Sequence, residues 1–529
     1  MQTRVLIIGG GVTGTGLARD LSMRGIPCIV VEKQDINAGA SGGNHGLLHS
    51  GARYIVSDPA SARECHDENL LLKKTAPHCI EETGGLFVAV KGDDEKYISQ
   101  FPDACRKCGI PVRELDTKEA RLMEPALSPD IIAAFSVDDA TIDPFKLSLD
   151  NMACAKKQGS QVLCHSRVSG FEKQGGRIVR THVTDELTGR NLCIEAEIVV
   201  NASGAWAGII ASLAGEWISM RYSKGSLAVT QNRIAGRVVN RLRMPTDGDI
   251  LVPGGTVSIL GTTSRRVESP DLIYPETREI DEIIDQGAAM IPELSATRYI
   301  RAYCGVRPLP AGDGKNQNLR DDRSASRGYE LIDHGDSPEG PGNFITITGG
   351  KLTTSRLMAE KTADMVCGKL GVNSPCLTGS RFLDDAVDAK WTEPAMAPII
   401  WLRKSAASED ILLCECEMIP QSVVDEISEN ICKQEARPGL KALGLRSRIG
   451  KGPCQGTFCS QRAVAYLYDQ GYLNNREGVH ELKAFLNERW RGQQPLLWNK
   501  SLIQAELMEA MHCGLFSLEL HHNQDNNPA

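Results

Sequence analysis

At 529 residues the chain is longer than one hydrophobic core usually supports, and ~150 residues per domain predicts about three units. With 41% hydrophobic and 24% charged residues and 51 glycines it has the composition of a globular protein rich in tight turns, which excludes large-scale disorder. A formal charge of −8, from 59 basic and 67 acidic side chains, leaves no basic excess for a polymer's phosphates, so no nucleic-acid partner is expected.

The chain opens on MQTRVLIIGGG, which enters a strand-like run at once and leaves no room for a signal peptide. A cytoplasmic protein with reduced thiols is expected, and the seventeen cysteines, mostly scattered in apolar segments, do not read as a disulfide scaffold. Residues 5–8 lead into Gly9-x-Gly11-x-x-Gly14 and a helical pattern of Leu17, Ala18 and Leu21, the strand–turn–helix context that a dinucleotide fingerprint requires. Gly9 permits the tight turn, Gly11 lets a pyrophosphate approach the helix N-terminus, and Gly14 lets that helix pack on the sheet. A second strand, 29–31, ends at Glu32, 23 residues after Gly9, where a carboxylate suits a ribose hydroxyl and repels a 2′-phosphate. The motif alone does not separate FAD from NAD. Residues 38–46, which include Ser41 and Gly42, form a small, flexible stretch suited to a ribityl chain and flavin edge, and favour FAD. The uncharged stretch 198–215 approaches membrane-spanning length, but Asn201, Ser203 and Gly204 divide it into strand, turn and helix.

Six segments then carry a family likeness: 49–54 (His-Ser-Gly-Ala-Arg-Tyr), 201–206 (Asn-Ala-Ser-Gly-Ala-Trp), 223–226 (Ser-Lys-Gly-Ser), 261–263 (Gly-Thr-Thr), 305–309 (Gly-Val-Arg-Pro-Leu) and 348–354 (Thr-Gly-Gly-Lys-Leu-Thr-Thr). In this order they resemble the D-amino-acid-oxidase-like flavoprotein superfamily, and within it the FAD-dependent glycerol-3-phosphate dehydrogenases. The C-terminal cysteines, with residues 488–490 (Glu-Arg-Trp), extend the resemblance to the anaerobic large subunits of that family. The resemblance implies an α/β fold. A Rossmann-like FAD-binding domain (about 1–80, 140–215 and 335–370) is interleaved with an α+β substrate domain on a mixed sheet (about 81–139 and 216–334), and a small helical iron–sulfur domain follows. It also places Ser203, Gly204, Gly350, Lys351, Leu352 and Thr353 against the cofactor.

A phosphorylated three-carbon diol demands cations at one end and an acid/base group at the other. Arginine suits phosphate because its planar fork meets two oxygens, so Arg53 and Arg307 are expected at the substrate, with Arg307 the phosphate ligand. Lys351 is expected to contact either substrate or flavin. Oxidising the secondary alcohol sends hydride to the flavin and a proton to a base. His49 is the candidate base, since its segment matches the family pattern and histidine titrates in the right range; hydrogen bonding to the flavin alone is the competing role. Tyr54 is expected to bind phosphate or the substrate hydroxyl, or simply to pack, and His45 is assigned no chemistry.

Residues 371–410 contain Pro375, Pro394 and Pro398 and read as a linker. Cys414-x-Cys416 and Cys454-x4-Cys459 flank a helical segment within 411–465, giving four convergent thiolates that suit zinc or an iron–sulfur cluster, with unmetallated thiols the remaining alternative. The array is similar to [2Fe–2S] domains of the bacterioferritin-associated-ferredoxin type, although there the second pair is usually closer in sequence. Cys105 and Cys108, with no second pair nearby, are expected to be plain thiols. Apolar positions at helical spacing in 462–473 and 478–490 are expected to cover the cluster domain or dock another subunit; the tail, 521–529, is expected to be disordered. By resemblance, glycerol 3-phosphate becomes dihydroxyacetone phosphate, and electrons pass through a second flavoprotein subunit, then a membrane-anchoring iron–sulfur subunit, to quinone, with attachment to the inner membrane face only indirect. The alternatives are a flavin oxidase or dehydrogenase of another hydroxy or amino acid, and a non-catalytic electron-transfer subunit.

Overall fold

The computed structural model describes residues 1–311, 328–383, 399, 410–433, 437–516 and 518. Strand Gln2–Ile8 lies at the centre of the first sheet, and its apolar run is buried as a parallel strand beneath helices requires. Cys28–Val31 and then Gln161–Leu163 lie parallel on one side of it, and Asn191–Asn201 and then Phe344–Gly349 on the other. Helices Val12–Met23, Pro144–Lys157 and Ser355–Leu370 bury Leu17, Leu21, Leu149 and Met358 against Val5, Ile7, Val30 and Val200. The helix starts are coded locally. Asp143 caps Pro144–Lys157 by accepting from the Phe145 and Lys146 N–H groups, and Asp58 caps Pro59–Thr75 through Ser61 N–H, each followed by a proline in the first turn.

The antiparallel strands Ser166–Gln174 and Arg177–Asp185 extend this sheet. Tyr329–Asp333 pairs antiparallel with Phe344–Gly349, so the first sheet takes in chain from before residue 335. Among the described residues the second sheet has nine strands. Its longest ladder runs antiparallel between Met220–Thr230 and Tyr299–Pro310, with Ser223 opposite Arg307 and Gly225 opposite Gly305. Helix Thr277–Met290 packs Ile280, Ile283 and Met290 on Leu251, Leu260 and Ala228 of this sheet. Gly85–Val90 and Ile131–Val137 enter it from early in the chain, so the two sheets are interleaved. Cys105 and Cys108 are buried beside Phe87 and Phe101 in its apolar lining.

Of the expected linker, residues 384–398 and 400–409 lie outside the described residues, as does the expected tail. The part just after helix Ser355–Leu370 is packed: Leu383 is buried, and its N–H donates to Thr75 O at 2.7 Å. Next come the hairpin Leu412–Cys414/Ile419–Pro420 and helices Gln421–Cys432, Leu440–Ser447, Cys459–Asp469, Glu477–Gln493 and Asn499–Phe516. Val423, Ile427, Leu443 and Leu467 share one core with Leu482 and Leu518, so the packing continues across the expected boundary at residue 465. This unit docks on both sheets. Arg446 donates both Nη groups to Asp35, Lys451 Nζ lies 4.7 Å from the Phe145 ring centroid, Glu488 pairs with Arg301, and Leu496 enters the second sheet's core. Among the described residues no helix is long and apolar enough to cross a membrane.

Candidate active site

The two sheets enclose a cavity of about 640 Å³. At one end lies the turn after the first strand. Gly9 has φ +115°, and a Cβ added there would stand 2.5 Å from Ala202 O; one on Gly14 would stand 2.0 Å from Gly9 O. Only glycine lets this turn close. Gly11 is the N-cap of helix Val12–Met23, so the positive end of that helix faces the cavity, with the Val12 N–H held by Ser41 Oγ at 3.0 Å. Glu32 lines the wall and accepts from the Gly10 and Gln34 N–H groups, each at 2.8 Å; burial raises its pKa, and those two donors oppose the rise.

Ser203, Gly204, Gly350, Lys351 and Leu352 also line the cavity. The Gly204 carbonyl is fixed by Thr348 Oγ1 at 3.0 Å, and Ser203 Oγ by Asn201 Oδ1 at 2.6 Å. Three residues expected at the cofactor shape the cradle from behind instead. Gly14 sits under the turn. A Cβ on Gly42 would meet Asn37 O and the Phe145 ring, while its neighbour Gly43 faces inward against Gly305. Thr353 is fully buried and accepts the His49 N–H at 3.1 Å. A clash-free glycine turn, a helix N-terminus and a carboxylate at the end of the second strand together fit FAD.

At the other end, Arg307 is held in a fork: Nη1 donates to Ser223 Oγ at 3.3 Å, and Nη2 donates to Thr263 O at 2.9 Å and to Thr262 Oγ1. Gly225 makes room for it, since a Cβ there would stand 2.7 Å from Arg307 Nη2. Arg53 is buried, with Nη2 on Asp249 Oδ2 at 3.0 Å. Tyr54 OH lies 3.3 Å from His49 Nε2, and Lys351 Nζ stands 4.6 Å from the Tyr54 ring centroid. His49, Arg53, Tyr54, Arg307 and Lys351 therefore meet in one cavity. Lys224, from a family-matching segment, does not line it; its ammonium is buried with Glu276 and Glu279 at 2.8 and 2.9 Å. Sequence reasoning missed Asp249 and Tyr303, whose OH holds the Asn44 carbonyl of the flavin loop at 2.7 Å. No local pattern marks either; for Gly305 the signal was present, in the segment that carries Arg307.

The four C-terminal thiols meet as two pairs. Cys414 shares a hydrogen bond with Cys459, and Cys416 with Cys454. The bond from Cys459 pulls the Cys414 pKa down to about 7 and raises that of Cys459, while burial and then Cys454 push Cys416 up to about 11. The Gly450 N–H donates to the sulfurs of Cys414 and Cys459, and the Glu417 N–H to Cys414. Such N–H···S bonds and paired thiols are a donor set that fits a metal–sulfur centre. Among the described residues, the group of three ligand-type side chains within 4.8 Å of one another is His78, Cys79 and Asp150, so the four cysteines are two close pairs rather than one tight tetrahedron.

A cavity between two interleaved sheets, with a dinucleotide turn at one end and arginines at the other, is the arrangement of a flavin oxidoreductase, and residues 4–365 match the family described as FAD dependent oxidoreductase. The chain is 41% identical over 97% of its own length and 97% of the other to the A-subunit of the anaerobic glycerol-3-phosphate dehydrogenase of Escherichia coli (strain K12), and 38% identical over 99% and 91% to the corresponding A1-subunit of Haloferax volcanii. It belongs to the FAD dependent oxidoreductase family and, within it, to the A-subunits of anaerobic glycerol-3-phosphate dehydrogenases. In fold it is similar to the glycerol-3-phosphate dehydrogenase from Bacillus halodurans complexed with FAD, with a TM-score of 0.67 at 21% identity, covering 94% of this chain and 97% of that one. The FAD-bound L-alpha-glycerophosphate oxidase from Mycoplasma pneumoniae gives a TM-score of 0.57 at 20% identity, covering 73% and 99%.

Proposed function

We propose that this chain is the catalytic subunit of a respiratory glycerol-3-phosphate dehydrogenase that oxidises sn-glycerol 3-phosphate to dihydroxyacetone phosphate. The observation that carries the proposal is the convergence of Arg53, Arg307 and the His49–Tyr54 pair on the cavity that also holds the dinucleotide turn. FAD, when bound there, accepts the hydride. Arg307, fixed by Ser223 and Thr263, and Arg53, fixed by Asp249, grip the phosphate and so orient the carbinol carbon. His49 receives the hydroxyl proton, and Tyr54 OH, 3.3 Å from His49 Nε2, orients the imidazole. Lys351, above the Tyr54 ring, adds positive charge where the alcohol loses its proton.

The same reading assigns a [2Fe–2S] cluster to Cys414, Cys459, Cys416 and Cys454. Zinc, at ~2.3 Å from each of four sulfurs, needs all of them within about 3.8 Å of one another, whereas two close pairs suit two irons. Electrons then leave for a second flavoprotein subunit, then a membrane-anchoring iron–sulfur subunit, and finally quinone; the chain sits on the cytoplasmic face of the membrane through those partners. The relatives' names, each that of one component of a larger enzyme, support such partners.

Anaerobic mixing with glycerol 3-phosphate tests the reading, with bleaching of the flavin spectrum as the expected result. Bleaching only with carboxylated alcohols or amino acids would point to an oxidase or dehydrogenase of those compounds, and none with any substrate to an electron-transfer subunit. Iron analysis and an EPR signal on reduction test the cluster.

A further inference from the structure

We propose that Arg489 is the counter-charge of the four-cysteine site, a positioning residue that sets how readily the metal centre there accepts an electron. This rests on the cluster reading above and deepens it.

Arg489 projects from helix Glu477–Gln493 and is 8% exposed. Its Nη1 donates to Gln455 Oε1 at 2.8 Å. Gln455 lies between Cys454 and Cys459, has φ +51°, and turns its own Nε2 back to the carbonyls of Lys451 and Gly452, at 3.2 and 3.0 Å. The guanidinium is 4.7 Å from the Phe485 ring centroid, and that ring fills the space left by Gly450 and Gly456. A Cβ on Gly450 would stand 3.3 Å from Arg489 Nη2, while the Gly450 N–H donates to the sulfurs of Cys414 and Cys459. One glycine therefore separates the cation from the inner thiol pair.

The charge is only partly offset where it sits. Arg489 Nε is buried with no partner among the described residues, and the adjacent carboxylate, Glu488, is paired with Arg301. Burial and Arg301 pull the Arg489 pKa down to about 9, against the opposing effect of Glu488, Cys459 and Cys454, so it remains cationic at neutral pH. When an electron leaves the reduced flavin and one ferric ion becomes ferrous, no bond is made and the centre gains one negative charge. A buried cation close by favours that state far more than one in water would.

The test is a redox titration of the holoenzyme followed by the cluster's EPR signal, in wild type, Arg489→Gln and Arg489→Lys. The glutamine variant should hold the cluster at a lower midpoint potential, so that the ratio of reduced to oxidised centre at a fixed potential falls by about tenfold, or about 59 mV for a one-electron couple; the lysine variant should stay near wild type. An unmoved potential in Arg489→Gln overturns the proposal. If that variant loses iron, retention in Arg489→Lys supports the role of the charge, and loss from both overturns it in favour of packing. A wild type that takes up iron yet gives no EPR signal would sink the cluster reading itself, and the role of Arg489 with it.

Discussion

Arg53 and Asp249 form a buried pair that uses only part of the guanidinium: Nη2 donates to Asp249 Oδ2 at 3.0 Å, while Nη1 is buried without a partner among the described residues. The same carboxylate takes Arg243 on Oδ1, at 3.0 and 2.8 Å, and the Thr246 N–H on Oδ2 at 2.6 Å. Asp249 thus holds Arg53 at the cavity wall, and under the proposed function an anionic substrate would complete its hydrogen bonding. Truncating one member of a buried charge pair costs ~2–5 kcal/mol. Asp249→Asn should therefore raise KM for glycerol 3-phosphate by at least about tenfold in assays with an artificial acceptor, and lower Tm. An unchanged KM would remove this pair from substrate binding.

Arg307 makes its contacts as a planar fork, so a lysine does not replace it. Arg307→Ala should raise KM by about a hundredfold or more, by the same reasoning for a lost buried charge partner, and Arg307→Lys should recover little of that. Gly225→Ala is the more specific probe, because the three atoms its Cβ would meet most closely all belong to the Arg307 guanidinium. It should raise KM in the same direction, by less, with Tm almost unchanged; wild-type KM in Gly225→Ala would show that the position of the guanidinium does not matter.

The contrast between Arg307 and Gly225 shows what was legible in the sequence. Gly9, Gly11 and Gly14 were readable because the turn's backbone demands glycine locally, and the four cysteines stood out as two pairs because each pair is close in sequence. Gly225 was not, because its role comes from a ladder that sets Ser223 opposite Arg307 across 84 residues of chain, and no local pattern states which strand pairs with which. Asp249, 196 residues from Arg53, was hidden for the same reason. Gly42 and Thr353 lie in segments that do reach the cavity, but both sit in turns that direct them behind it. The helical stripes in 478–490 were legible, and of the two surfaces expected for them they cover the cysteine unit; the merging of both into one core past residue 465 emerges only from packing.

His49 is expected to control turnover rather than binding. Loss of a general base lowers kcat by ~10²–10⁴, so His49→Gln should do so with KM and flavin content near wild type. Tyr54→Phe, which removes the hydroxyl 3.3 Å from His49 Nε2, should produce a smaller fall. Full turnover in His49→Gln would assign the proton to another group.

His45 should make the fold acid-sensitive. Burial, then the charges of Arg307 and Arg53, pull its pKa from 6.5 down to about 3, and its Nδ1 is buried without a partner among the described residues. In the unfolded chain the imidazole gains a proton as pH falls through 6.5, whereas the folded protein refuses it until near 3. The unfolded state therefore binds more protons over that window, and stability drops as pH falls through it. Melting temperatures measured from about pH 7 to about pH 5 should decline less steeply in His45→Asn than in wild type; parallel declines would assign the acid sensitivity to other groups.

The contact between the flavoprotein and the cysteine unit turns on Asp35 and Arg446. Burial alone would raise the Asp35 pKa, but the charge and hydrogen bonds of Arg446 outweigh it and hold the carboxyl at about 2, so the pair is ionised throughout the neutral range. Removing one partner of such a pair leaves a buried charge and costs ~3–5 kcal/mol, whereas replacing both with apolar groups is often neutral. Arg446→Met should loosen the docking of residues 410–516, read as faster limited proteolysis near residue 410 and slower reduction of the metal centre after the flavin has bleached. Asp35→Leu combined with Arg446→Met should restore much of the protection. Breaking the Lys441–Gln34 hydrogen bond, which is exposed, should change neither readout. If Arg446→Met is as protease-resistant as wild type, the two units are held instead by the Arg301–Glu488 and Leu496 contacts on the second sheet.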